Sequence, residues 1–308
     1  MKASLPLASE FTVVHRRPSS RNAFRMIGVG LLGLTLCCAT VGRAQERPIP
    51  AAELPKPSQA VIVDHTYANL GAIPVQWIEA AKAKLVIAYG HTSHGSQLVS
   101  GLEGLEKWKK APYLLHRDDQ RGGLKLLDTP FEGADDLGNP DRTAWAGATR
   151  KYLKAHPEVN VVMWSWCGQV SDSTEADISG YLNRMSQLEK EFPKVRFVYF
   201  TGHLDGSGVN GNLNKRNEQI RAFAKKNGKV LYDFADIETF DPNGKGYMAK
   251  NVNDECNYDG GNWAIEWQKA NPGKWYEVEA AHSQPLNGNL KAYAAWSLFA
   301  RLAGWQGK

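Results

Sequence analysis

Four short apolar runs rich in β-branched residues recur along the chain, and segments of helical periodicity separate them. Lys84 to Tyr89 (KLVIAY), Val159 to Trp164 (VNVVMW), Arg196 to Thr201 (RFVYFT) and Val230 to Asp233 (VLYD) are continuous rather than alternating. That is the mark of strands buried on both faces. Between them, residues 97–109, 143–155 and 214–226 read as helices. Ile178, Tyr181, Met185, Leu188 and Phe192 line one side of another, and a final helix carries Leu290, Tyr293, Ala294 and Leu298. Strands separated by helices predict βαβ units, and therefore an α/β three-layer sandwich with a mostly parallel central sheet.

The first 44 residues follow a different pattern. A basic stretch (Lys2, Arg16, Arg17, Arg21, Arg25) leads into an apolar run from Met26 to Val41 and then the small residues around Ala44. This predicts a signal peptide over 1–44 and export to the periplasm or the exterior. The apolar run is shorter than the roughly 20 residues of a membrane span, so no stable membrane insertion is expected after cleavage. Residues 45–70 begin with four prolines in QERPIPAAELPKPSQA and read as a linker or N-terminal arm, leaving 71–308 as one domain.

Subtracting the leader also removes the apparent basicity. It holds six Lys/Arg and one Glu, so the formal balance moves from 37 against 32 to 31 against 31. A near-neutral domain without a basic cluster excludes nucleic acid as an expected partner. Two of the four cysteines remain, Cys167 and Cys256, either as a pair in an oxidising destination or as two buried thiols.

In open parallel sheets the ligand crevice lies beyond the carboxyl ends of the strands. Three of those ends here carry polar groups beside glycine: Gly90-His91-Thr92-Ser93-His94-Gly95, Ser165-Trp166-Cys167-Gly168-Gln169, and Thr201-Gly202-His203-Leu204-Asp205-Gly206. Glycine on either side of the first turn is expected to let the backbone bend sharply and expose the Ser93 hydroxyl at a helix N-terminus. Near the C-terminus, Glu279-Ala280-Ala281-His282-Ser283-Gln284-Pro285 precedes the last helix. A serine nucleophile needs an imidazole as base and a carboxylate to orient that imidazole. Ser93, His282 and Glu279 fit these roles, with Glu277, Asp254 and Asp259 as other sources of the carboxylate.

A nucleophile after the first of these strands, donors after later ones and an acid-x-x-His pair before the last helix together resemble the SGNH (GDSL-like) hydrolase superfamily over roughly residues 84–303. His91-x-Ser93-x-Gly95 and His282-Ser283-Gln284-Pro285 look like a divergent bacterial branch of exported, carbohydrate-related proteins. The resemblance implies an esterase with Ser93 as nucleophile, His282 as base, and the Ser93 N–H, Gln169 and Gly133 around the oxyanion. The sequence departs from the family at Thr92, where the usual signature has Asp, at Glu279 in place of Asp, and in lacking the Gly-x-Asn-Asp block, where Gln169 takes the Asn position.

His91, His94, His203, Asp205 and Trp166 are then expected to contact substrate. A cluster of histidines with Asp205 also raises a metal-dependent hydrolase, but His-x-x-His in a turn lacks a third ligand at a known spacing, so neither metal nor other cofactor is expected. The stretch from Phe234 to Tyr276 has little periodicity and reads as a lid or solvated loop, calcium-binding only if its acids converge. Its Trp263, Trp267, Trp275 and Tyr276 either stack on sugars or pin the loop down. The expected function is an exported serine esterase that deacylates, and specifically deacetylates, a carbohydrate or glycoside. The alternatives are a non-catalytic carbohydrate-binding protein on the same fold and the metal-dependent hydrolase.

Overall fold

The computed structural model describes residues 52–117 and 121–307. The predicted signal peptide lies outside the described residues. Six parallel strands form the central sheet: β1 (Val61–Val63), β2 (Val86–Gly90), β3 (Lys125–Asp128), β4 (Val161–Trp164), β5 (Arg196–Phe200) and β6 (Val230–Tyr232). Their order is β1-β6-β5-β4-β2-β3. Helices α1 (Val75–Lys84), α2 (Ser93–Lys109) and α8 (Pro285–Leu302) pack together on one face, and α3 (Ala144–Ala155), α4 (Glu175–Glu191) and α5 (Asn212–Lys226) on the other. The expected α/β three-layer architecture is therefore present.

The four predicted strands are the four inner ones, and β4 and β5 are buried along their whole lengths. The two edge strands were not anticipated. β1 is only three residues long and lies inside the predicted arm, where Val61 pairs with Val230. Arg196 holds the same arm down by donating from Nη2 to Leu54 O at 2.5 Å. Local signals fix the helix starts where they are strong: Thr174 and Asp177 form a reciprocal capping box at the head of α4. The stretch read as irregular contains α6 (Phe234–Thr239), a small hairpin of β7 (Asn257–Tyr258) and β8 (Gly261–Asn262), and α7 (Trp263–Ala270). Among the described residues no helix is long and apolar enough to cross a membrane.

The chain leaves β2 for the edge strand β3 and returns past β2 to β4, so the strand order reverses between β2 and β4. Such a reversal opens a crevice at the carboxyl ends of the two strands. The turn from Gly90 to Gly95 and the turn at Ser165–Gln169 both leave the sheet there.

Candidate functional site

The glycines of the first turn are required for close approach, not for an unusual backbone bend. Neither Gly90 nor Gly95 has a positive φ. A Cβ on Gly90 would stand 2.3 Å from the Trp164 ring, and one on Gly95 would stand 2.2 Å from Ser165 Oγ and 2.4 Å from His91 Cβ. The turn after β2 is thus pressed directly on the turn after β4, which brings Cys167 against the first residues of α2.

Cys167 is the centre of the contacts that result. Its Sγ lies 3.3 Å from His94 Nδ1 and 3.6 Å from Ser93 Oγ. The other ring nitrogen of His94, Nε2, is 2.9 Å from Asp254 Oδ2. Both imidazole nitrogens face an acceptor, which favours the doubly protonated ring and a thiolate beside it. Burial alone would lower the His94 pKa, but the hydrogen bonds with Asp254 and Cys167 outweigh it and the net shift is upward, to about 9. The Cys167 thiol is drawn down to about 6, chiefly by its hydrogen bond with His94 and against the effect of burial, with help from the Ser93 and Thr92 hydroxyls. Asp254 is held below the ordinary carboxylate range: burial pushes it up, and the bond to His94 and the nearby imidazoles pull it further down.

Each member of this relay is anchored by its own loop. Thr92, at the N-cap of α2, donates its hydroxyl to Asp136 Oδ2 at 2.5 Å instead of capping the helix, so the first-turn N–H groups of α2 have no side-chain cap. Asp136 is 1 % exposed and also accepts from Gln169 Nε2 at 3.1 Å. Gln169 Oε1 in turn accepts the Cys167 N–H at 2.9 Å. Asp254 is placed by its own N–H, which donates to Leu204 O, and by Ser283 Oγ, which donates to Asp254 O at 2.6 Å.

His203 and His282 complete the crevice, both stacked against His94. The His203 ring lies parallel to that of His94 at 3.6 Å between centroids, and the His282 ring lies at 4.6 Å and 18°. The structure therefore brings Ser93, His94, His203 and His282 to one edge of the sheet, as the strand-end argument expects. It does not join Ser93 to His282 by a hydrogen bond: Ser93 Oγ meets Cys167 Sγ, and His282 is exposed with a φ of 58°. Glu279 is exposed and makes no hydrogen bond or ion pair to His282. Asp254, weighed as another source of the carboxylate, meets His94 instead.

The other predicted contact residues have local roles. His91 is 2.6 Å from Asp128 Oδ1 and ties the turn to β3. Asp205 accepts from the Ser207 N–H and hydroxyl at 2.9 and 2.5 Å, closing its own turn. Trp166 is buried with its indole N–H donating to Phe200 O, which leaves no free face for a ligand. Gly133 has a φ of 90° and is exposed on the loop after β3, and beyond its chain neighbours no described atom lies within 4 Å of where a side chain would stand. Trp263 and Tyr276 are buried and Trp267 and Trp275 half-buried, so these aromatics pack their segment down. Cys256 and Cys167 are free thiols; burial pushes Cys256 up to about 12, so it stays neutral.

His94, His203 and Asp254 have ligand-type atoms within 4.8 Å of one another, close enough to share a cation. As arranged they serve one another: His203 Nδ1 must carry its proton to donate to Leu204 O at 2.8 Å, and Asp254 already accepts from His94. Asp64, His65 and Asp236 form a second such group away from the crevice, where His65 Nδ1 is 2.5 Å from Asp236 Oδ1.

The residues that sequence reasoning missed are Cys167 as the partner of His94 and Asp136 as the buried support of two turns. Cys167 stands in the second strand-end motif, which is the available signal, but nothing in its sequence neighbours shows that it meets an imidazole 73 positions away. A family model described as "Haemophore, haem-binding" matches residues 142–197, less than a fifth of the chain. The matched segment runs from the start of α3 into β5 and includes β4 and Cys167, so it is an integral slice of the α/β domain. No curated protein matches the chain.

Proposed function

We propose that the protein is a hydrolase of acyl esters that works through a covalent intermediate on Cys167. The observation that supports this is the unbroken relay of thiol, imidazole and carboxylate from Cys167 through His94 to Asp254, at 3.3 and 2.9 Å. A thiolate attacks the ester carbonyl, His94 hands its proton to the departing alcohol, and Asp254 holds the ring and balances its charge. The uncapped N-terminus of α2 supplies N–H groups and a positive dipole end for the oxyanion. No cofactor enters this chemistry. The reaction class is the one the SGNH resemblance implies, with the nucleophile moved from the serine to the neighbouring thiol. An exported enzyme acting on an acylated carbohydrate is the setting we propose, on the strength of the leader sequence and the resemblance.

The test is turnover of p-nitrophenyl acetate and of an acetylated polysaccharide by the full chain and its variants. Cys167→Ala is expected to lose about 10³-fold or more, and Ser93→Ala less than about 10-fold. The serine route keeps the same substrates but predicts the opposite order, with Ser93→Ala and His282→Ala inactive and Cys167→Ala active. That outcome would remove the thiol mechanism.

A further inference from the structure

His203 is 8 % exposed, and its two nitrogens differ sharply. Nδ1 donates to Leu204 O, so in the neutral ring Nε2 carries the lone pair. That Nε2 is buried and has no hydrogen-bond partner. It faces Gly168, the residue after Cys167: a Cβ built on Gly168 would lie 3.8 Å from Nε2, in ordinary van der Waals contact. A buried, unpartnered basic nitrogen is costly to keep, and this one is aimed at the turn that carries the thiol.

We propose that His203 is the general base of the second half-reaction, taking a proton from the water that hydrolyses the acyl group held on Cys167. This rests on the thiol-ester reading above. In the first half-reaction the sulfur bonds to the acyl carbon, the carbon–oxygen bond of the ester breaks, and the alkoxide leaves with the proton of His94 Nδ1. His94 is then neutral. In the second, the water oxygen bonds to the acyl carbon while its proton passes to His203 Nε2. The carbon–sulfur bond breaks, the acid departs, and His203 gives its proton to solvent while His94 Nδ1 takes one back beside the freed thiolate, which restores the thiolate–imidazolium pair.

The stacking of the two rings explains the alternation. Imidazoles lying parallel at 3.6 Å tolerate one positive charge between them and not two. His94 holds that charge at rest, and only its loss in the first step lets His203 accept a proton. Asp254 serves both positions, since its Oδ2 is 2.9 Å from His94 Nε2 and 3.9 Å from His203 Nδ1. In the resting protein burial depresses the His203 pKa, and the charge on His94 depresses it further against the pull of Glu238 and Asp254, which agrees with this division.

The experiment follows nitrophenolate release from p-nitrophenyl acetate in the pre-steady state, with intact-mass detection of the acetylated chain. His203→Asn keeps an N–H donor toward Leu204 O and deletes the Nε2 lone pair. It is expected to retain the rapid first phase within about two-fold of wild type, to slow the second phase about 100-fold, and to accumulate acetyl on Cys167. Gly168→Ala, which puts a methyl in front of Nε2 without touching the bonds of His203, is expected to slow the same phase. If both variants turn over at the wild-type rate while Cys167→Ala is dead, this inference falls and the thiol mechanism stands. Full turnover by Cys167→Ala overturns both. A His203→Asn variant that melts like wild type but loses the first phase places the residue in acylation and also overturns the inference.

Discussion

Replacing Lys291 by methionine removes the partner of a carboxylate that has no access to water. Lys291 on α8 and Glu238 on α6 are both fully buried, with Nζ 2.5 Å from Oε1. At that separation two unit charges attract by about 6–7 kcal/mol for an effective dielectric constant of about 20. Losing the lysine also relieves its own desolvation, which pulls its pKa down in the native protein. The net cost of breaking such a pair is therefore about 3–5 kcal/mol. Glu238 would keep the Leu204 N–H at 2.8 Å and a long contact from Asn287 Nδ2 at 3.4 Å, neither of which neutralises it. The double variant Lys291→Met/Glu238→Gln removes the stranded charge and should lie within about 1–2 kcal/mol of wild type. Urea unfolding followed by circular dichroism, extrapolated linearly to water, measures both. A single variant that costs less than about 1 kcal/mol, or a double variant no more stable than the single, would refute the reasoning. The pair also reaches the crevice: Glu238 holds the Leu204 N–H beside His203, and Lys291 donates to Gln97, which donates to Ala281 O beside His282.

Further expectations follow from the same contacts. Iodoacetamide should alkylate Cys167 at a rate that rises with pH around a midpoint of about 6, because the thiolate is the reactive form; His94→Gln should move the midpoint up toward about 8.5, and an unmoved midpoint would show that His94 does not set it. For ester turnover, kcat/KM should form a bell, rising through about 6 as the thiolate forms and falling through about 9 as His94 loses its proton; a flat profile between pH 5 and 10 would count against the pair. Asp254→Asn should lower the alkaline limb, since the carboxylate is what holds the His94 proton, and a limb left in place would exclude that role. Gly95→Ala should cost about 1–3 kcal/mol in the same unfolding assay because its methyl meets Ser165 Oγ and His91 Cβ, and a neutral result would show that the two turns can separate.

The inner strands were legible because burial on both faces leaves a continuous apolar run, as in VVMW of β4 and RFVYF of β5. The edge strands were not, since β1 spans three residues and β3 reads KLLD with both ends exposed, so neither has such a run. α6 and α7 escaped for a related reason. They have six and eight residues, too short for a helical period to declare itself against the turns around them.

Much the same division holds for the crevice. Sequence alone determined which strand ends carry the polar turns of the crevice, because a parallel sheet exposes those ends and the polar motifs follow the apolar runs directly. It also named His91, His94, His203 and His282 around Ser93, and of these His91 turns to Asp128 on β3 while the other three stack together. Which hydroxyl, thiol, imidazole and carboxylate actually meet was decided only by the tertiary structure. Cys167 lies 73 positions from His94, and Asp254 lies 160 from it. Their meeting depends on strand order, on two glycines that let neighbouring turns touch, and on a loop pinned by Ser283. Periodicity in sequence reports the local environment of each segment; contacts between distant turns arise from how the segments stack, and leave no local trace.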